Sequence, residues 1–191
     1  MSREIEIKVR VENAAPLTEL LEREGEFRYE SRQMDEYFVP VFRDFLAERP
    51  IREWLRIRTE DGKASINYKD WQYGPDGTSD HCEEHESGIS DADALRNILT
   101  ALDIRPVVTV DKVRRAYAYR DYEVALDTVE GLGAFVEIEY KGADAESVDT
   151  KSVADGMLAF LDEIGVGTVS RDISGYPFLL LEAQGLLRRD G

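Results

Sequence analysis

The sequence predicts an α+β fold in which antiparallel β-strands curl into a barrel with helices packed outside. Three observations predict it. Six separated segments alternate apolar and charged residues with a period of two, the intervening helical segments each carry one apolar stripe, and no internal repeat, low-complexity tract or linker divides the 191 residues. The solvent face of an ordinary antiparallel sheet tolerates Ser, Thr and Gln. Here Glu4/Glu6/Lys8, Arg56/Arg58, Glu84/Glu86, Lys112/Arg114 and Glu137/Glu139 are charged almost without interruption. A barrel reconciles the two faces, with the apolar sides under the helices and the charged sides lining a wet interior.

Each element follows from local pattern. Ile5, Ile7 and Val9 oppose Glu4, Glu6, Lys8 and Arg10 in a first strand. Pro16 opens a helix bearing Leu17, Leu20 and Leu21, and Gly25 stops it. Tyr29 to Val39 reads as extended, and Pro40 to Pro50 as a mobile connection. Leu55, Ile57 and Thr59 then oppose Trp54, Arg56, Arg58 and Glu60, Asp61-Gly62 turns the chain, and Ala64, Ile66 and Tyr68 oppose Ser65, Asn67 and Lys69. Tyr73 to Asp80 is a loop by composition, and a short strand runs from about Cys82 to Glu86.

Asp91 caps a helix with Leu95, Ile98, Leu99 and Leu102 along one stripe. Three strands follow, at Val107 to Tyr119, Tyr122 to Val129 and Ala134 to Tyr140, with Glu130-Gly131-Leu132-Gly133 turning between the last two. Asp149 to Gly165 is a long helix that buries Val153, Met157, Phe160, Leu161 and Ile164, and Tyr176 to Gln184 is a short final one.

Composition removes several functional classes. Forty acidic residues face 24 basic ones, six of them Lys, for a net charge of -16, which argues against a nucleic-acid partner. Acid excess with few lysines suggests a surface adapted to concentrated salt, where dense carboxylates are screened from one another. At 42% hydrophobic residues the chain is too apolar for a disordered acidic tail. One cysteine excludes an internal disulfide framework, the charged start lacks the apolar core of a secretory signal, and no stretch approaches the roughly 20 apolar residues of a membrane span. The expectation is a single cytoplasmic domain, monomeric or homodimeric, independent of membranes.

Like charges in an interior are prohibitive unless something neutralises them. The carboxylates call for divalent cations and the Arg/Lys set for a polyanion, and a metal-bound triphosphate meets both demands. Hard oxygen ligands suit Mg²⁺ or Mn²⁺, while Arg forks and Lys point charges suit phosphate.

Glu4-Ile5-Glu6-Ile7-Lys8 resembles the Glu-x-Glu-x-Lys signature of the CYTH, or triphosphate tunnel metalloenzyme, superfamily, and the chain is similar to its archaeal and class IV adenylyl cyclase branch. The resemblance continues in family order through Asp35-Glu36-Tyr37-Phe38, Leu55-Arg56-Ile57-Arg58, Tyr68-Lys69, Glu83-Glu84-His85-Glu86, Lys112-Val113-Arg114, Leu126-Asp127 and Glu130 to Glu139. It covers a core from about residue 2 to 176 of a domain expected to span 1–191. The resemblance implies an eight-stranded antiparallel β tunnel barrel with helices outside. It assigns Glu4, Glu6, Glu137 and Glu139 to metal, with Asp127 and Glu84 or Glu86 supporting. To the triphosphate it assigns Lys8, Arg56, Arg58, Lys69, Lys112 and Arg114. The chain departs from the bacterial cyclases at Tyr37-Phe38, where His-Phe is usual, and at Cys82, where relatives often carry Arg.

Other constellations are poorer. His81, Cys82 and His85 lack the further ligands of a structural zinc site. Two histidines and no nucleophile turn leave no Ser-His-Asp triad, and Gly131-Leu132-Gly133 lacks the helix and Lys of a phosphate loop. The activity expected is metal-dependent conversion of ATP to 3′,5′-cyclic AMP and pyrophosphate, with Glu4, Glu6, Lys8 and Glu137 at the chemistry. The alternatives are hydrolysis of inorganic, thiamine or nucleoside triphosphate on the same residues, and a non-catalytic polyphosphate-binding module.

Overall fold

The computed structural model describes residues 5–73, 79–143, 148–167, 170–171 and 175–187, with backbone alone for 73, 79–81, 170 and 171. In chain order the elements are β1 (Glu6–Arg10), α1 (Ala15–Glu24), β2 (Glu26–Pro40), β3 (Glu53–Glu60), β4 (Lys63–Tyr73), β5 (Ser79–Ile89), α2 (Ala92–Ala101), β6 (Ile104–Tyr119), β7 (Tyr122–Val129), β8 (Gly133–Tyr140), α3 (Thr150–Ile164), β9 (Ser170–Arg171) and α4 (Tyr176–Ala183). Among the described residues this is an antiparallel α+β fold of eight long strands, a two-residue ninth and four helices, the expected class.

The chain divides into two compact units: residues 1–31 with 112–173, and residues 32–111 with 174–191. The long strands β2 and β6 each contribute one half to each unit, so no linker marks the division and none was visible in the composition.

In the first unit the strand order runs from β2 and β6 through β7, β8 and β1 to β9. The register sets Glu6 against Glu139, Lys8 against Glu137, and Arg114 against Asp127. Period-two alternation therefore sends Ile5, Ile7, Val9, Val136, Ile138, Val124 and Leu126 into one apolar cluster with Leu17 and Leu21 of α1 and Met157 and Leu161 of α3. Both helices carry the signals read in the sequence. Gly25 ends α1, not through a left-handed backbone but because a Cβ there would lie 2.7 Å from the Leu21 carbonyl oxygen. Asp149 caps α3 by accepting from Ser152 N at 3.0 Å, and Gly165 closes it at φ 78°.

In the second unit the order is β5-β4-β3-β2-β6. Asp61 and Gly62 both take positive φ, the backbone a tight β3–β4 hairpin needs. Phe38, Ile57 and Leu99 of α2 form its apolar cluster, with Leu55, Leu95 and Ile104 packed against them. Asp91 caps α2 by accepting from Ala94 N at 2.8 Å.

Three strands are longer than their alternation suggested. β5 spans Ser79–Ile89 because its ladder with β4 continues from Ala64↔Ile89 to Tyr73↔Ser79, holding residues whose side chains are polar in sequence on both faces. β2 begins at Glu26 with five exposed residues and alternates in burial only from Ser31, and β6 begins at Ile104. Pairing, not amphipathicity, sets those ends.

Candidate functional site

The charged face of the first unit is built on β1, β8, β7 and β6. Asp127 is its centre, 1% exposed. It accepts from Lys112 Nζ at 2.8 Å and from Arg114 Nε and Nη2 at 2.7 Å each. Arg114 also pairs through Nη1 with Glu137 Oε1 at 3.0 Å, and the other Glu137 oxygen pairs with Lys8 Nζ at 3.0 Å. Three cations and two carboxylates thus form one chain of contacts, Lys8–Glu137–Arg114–Asp127–Lys112.

Burial opposes every charge in that chain, and the partners decide the outcome. Burial raises the Glu137 carboxyl, but Lys8 and then Arg114 outweigh it and hold the group well below the usual carboxylate range. Burial likewise acts against the Asp127 charge, yet the Arg114 hydrogen bond and the Lys112 charge depress its pKa. Lys8 and Arg114 are held above their ordinary values because Glu137, with Glu6 for Lys8 and Asp127 for Arg114, exceeds the burial penalty. Lys112 is the exception: burial dominates the attraction of Asp127 and pushes it down to about 8.

Glu6 is exposed at the edge of this network, and its register partner Glu139 holds Lys141 Nζ at 2.6 Å. Glu4 lies outside the described residues. The donor set Glu6, Glu137 and Glu139 is all carboxylate oxygen, the hard type that Mg²⁺ or Mn²⁺ takes. No group of three His, Cys, Asp or Glu side chains among the described residues is gathered to hold an ion. The fit is therefore to a metal that uses one or two carboxylates and completes its shell with water and substrate oxygens, as Mg²⁺ does. Asp127 and Glu137 each hold two cations on their oxygens, Asp127 supporting Lys112 and Arg114 and Glu137 lying between Lys8 and Arg114, so a metal on Glu137 would share it with those cations.

The charged face of the second unit is built on β2, β3, β4 and β5. Asp35 is 2% exposed and accepts the Arg58 fork, Nε to Oδ1 at 2.6 Å and Nη2 to Oδ2 at 2.7 Å, while Arg56 Nη1 reaches Oδ2 at 3.2 Å. The buried Arg56 Nε has no hydrogen-bond acceptor among the described residues. Beside them Lys69 Nζ lies 3.2 Å from Glu84 Oε2, and the buried Asn67 donates to Glu84 Oε1 at 2.6 Å. Burial works against the Glu84 charge, but the Asn67 hydrogen bond and Lys69 carry its pKa below the ordinary value. Glu86 accepts from Ser65 Oγ at 2.9 Å.

The structure thus gathers Lys8, Lys112, Arg114, Asp127 and Glu137 in one unit, and Arg56, Arg58, Lys69 and Glu84 in the other. Sequence reasoning missed Asp35 and Asn67 as organisers. The signal for Asp35 lay in the run Ser31, Gln33, Asp35, Tyr37, polar residues at every second position of one strand, all buried here. His85 stacks on Tyr68 with ring centroids 6.4 Å apart, on the face opposite Glu84 and Glu86. Cys82 is half-buried, and burial pushes its thiol up, as for an unreactive cysteine.

Comparison with known proteins agrees with this architecture. The family model of the CYTH domain matches residues 2–176. A Methanocaldococcus jannaschii protein named "Putative adenylate cyclase MJ0240" is 36% identical over 166 residues, 85% of this chain and 90% of the relative. The solved structure of the PH1819 protein from Pyrococcus horikoshii OT3 is 30% identical, covering 95% of this chain and 99% of that one, with a TM-score of 0.72. A Hippeastrum protein described as a "putative adenylyl cyclase" with a dominant triphosphatase activity shares the fold at 21% identity, TM-score 0.63, over 98% of each chain. The chain belongs to the CYTH domain family.

Proposed function

We propose that the protein carries out divalent-metal-dependent chemistry on a triphosphate, converting ATP to 3′,5′-cyclic AMP and pyrophosphate. The observation that carries the triphosphate half of this reading is Arg56. A buried guanidinium nitrogen without an acceptor costs about 1–3 kcal/mol, and a phosphate oxygen is the acceptor its chemistry calls for. The name of the Methanocaldococcus jannaschii relative supports the cyclase half.

In this reading each face offers phosphate-binding cations, Arg56, Arg58 and Lys69 in the second unit and Lys8, Lys112 and Arg114 in the first, and Asp35 and Asp127 fix the angles of the arginines and of Lys112 within their own units. Glu4, Glu6, Glu137 and Glu139 would hold Mg²⁺ or Mn²⁺, and Glu84 or Glu86 would be a supporting carboxylate on the second unit's own face. The bound metal supplies a lowered pKa for the ribose 3′-hydroxyl and charge neutralisation on the phosphates. The 3′-oxygen bonds to the α-phosphorus as the bond from that phosphorus to the pyrophosphate oxygen breaks, and the hydroxyl proton leaves to water held near Glu6 or Glu137. The cations stabilise the charge that builds on the leaving pyrophosphate. Positioning and charge suffice for phosphoryl chemistry, so no covalent protein group is required.

The Hippeastrum protein's triphosphatase description favours a second reading, water directed at the terminal phosphorus by the same residues. Incubation with ATP and, separately, with tripolyphosphate, in Mg²⁺ or Mn²⁺ and high KCl, distinguishes them. Cyclic AMP with equimolar pyrophosphate is the expected result. Phosphate alone overturns the cyclase in favour of the triphosphatase, and binding without any product leaves only a polyphosphate-binding module.

A further inference from the structure

The charged face of the second unit ends in aromatic rings. Alternation on β3 places Trp54 on the same face as Arg56 and Arg58, and alternation on β4 places Trp71 on the same face as Lys69 and Asn67. Trp54 is the register partner of Lys69, and Trp71 lies two residues beyond it, its backbone N–H donating to the Arg52 carbonyl at 2.9 Å. The two indoles are therefore diagonal neighbours across an antiparallel pair, roughly 7–8 Å apart at their origins. Both indoles therefore present ring surface on the same face of the sheet, beside Lys69.

The surroundings fit a flat guest. Tyr37 packs edge-on against Trp54, with centroids 5.4 Å apart and planes at 81°, which braces that indole from the β2 side. Tyr37 is itself buried, whereas both tryptophans are only half-buried. Lys69 Nζ sits 5.8 Å from the Trp71 ring centroid, so the first cation stands next to the aromatic seat. From there the face continues through Arg56 to Arg58, about 13 Å along β3 from Trp54 at strand rise. Rings first and cations after is the order of a nucleotide, base first and phosphates after. Inorganic triphosphate has no part that uses the rings.

We infer that Trp54 and Trp71 form a base-stacking seat that makes the substrate a nucleoside triphosphate rather than an inorganic one. The inference rests on the triphosphate reading above and adds to it the residues that select the organic half of the ligand.

The chain's two tryptophans both belong to the seat, so tryptophan fluorescence, excited selectively over the nine tyrosines, reports this site alone. Wild-type protein and the Trp54→Ala, Trp71→Ala and Trp54→Phe variants are titrated with ATP and with tripolyphosphate by calorimetry, after circular dichroism has checked each fold. In parallel, acrylamide quenching of the wild type is measured with each ligand. Either alanine variant is expected to weaken ATP about tenfold or more while tripolyphosphate affinity holds, and Trp54→Phe restores most of the loss. ATP, but not tripolyphosphate, shields the indoles from acrylamide, a result that does not depend on the variants folding. Equal effects on both ligands, or no shielding by ATP, overturn the seat and leave the triphosphate reading standing. Failure of the wild type to bind either ligand overturns both.

Discussion

The two units carry charged sheet faces of the same design and different depth. In the first, Asp127 and Glu137 are shared among Lys8, Lys112 and Arg114, and the anchoring Asp127 side chain is 0% exposed beside a Lys112 at 4%. In the second, one carboxylate, Asp35, 3% exposed, holds two arginines at 16% and 21%, close to the 14% of Arg114, and one of them has a donor without an acceptor among the described residues. Cations outnumber carboxylates by one at both centres, three to two around Asp127 and Glu137 and two to one around Asp35. What separates them is Arg56 Nε, a buried donor that the second centre leaves without an acceptor among the described residues. Buried ion networks of the first kind specify geometry more than they stabilise.

The largest expected effect tests that contrast directly. Asp127→Ala strands Lys112 and Arg114 in a dry site, and chemical denaturation should show a loss of about 3–5 kcal/mol. Asp35→Ala strands no group as deeply buried as Lys112, so its loss should be smaller, on the order of 2 kcal/mol. Equal losses would erase the distinction between the units. Next in size, Arg56→Ala should lower turnover about 100-fold or more in a protein that still folds, and Glu4→Ala should do the same through the metal. Wild-type rates in either variant would remove that residue from the site.

Acidity affects the first unit through its depressed carboxyls. Glu137 and Asp127 have folded pKa values below their unfolded ones, so their stabilisation is complete above about pH 4–5 and disappears as pH falls through the folded values. Denaturation followed from pH 6 to pH 2 should show this decline, and the decline should be smaller in Glu137→Gln. Lys112 acts in the opposite sense. Its folded pKa of about 8 lies below the unfolded value, so its burial penalty is full below pH 8 and is relieved as pH rises beyond it. Triphosphate affinity should meanwhile weaken through pH 8 as the cation is lost. A pH 7 to 9 series that measures both stability and affinity should therefore show them diverge, and parallel trends would sink the assignment of Lys112 to phosphate.

The smallest effect concerns the outer surface. Screening of carboxylates should raise the thermal midpoint between low and multimolar KCl, and an unchanged midpoint would refute adaptation to salt.

Much of this was legible in the residues. Period-two alternation located the strands, Asp91, Asp149 and Gly165 bounded two helices, and the cations of both faces stood at alternate positions in the sequence. Less visible were the ends of β2, β5 and β6, where pairing extends strands past their amphipathic segments. The division into two units was hidden because β2 and β6 run through both. Among site residues, Asp35 and Asn67 went unassigned because their weight comes from cross-strand partners, and register is not written in either strand alone.

By itself, then, the sequence determined the fold class, the family and which side of each strand is charged, because side-chain direction along a strand depends only on local geometry. Tertiary structure decided which charge meets which: that Asp127 locks Lys112 and Arg114, that Asp35 leaves Arg56 with a donor to offer, and that Trp54 and Trp71 flank Lys69. Those are facts of register and burial between residues from 13 to 23 positions apart, and the energy of a charge depends on the partners and the water that folding leaves beside it.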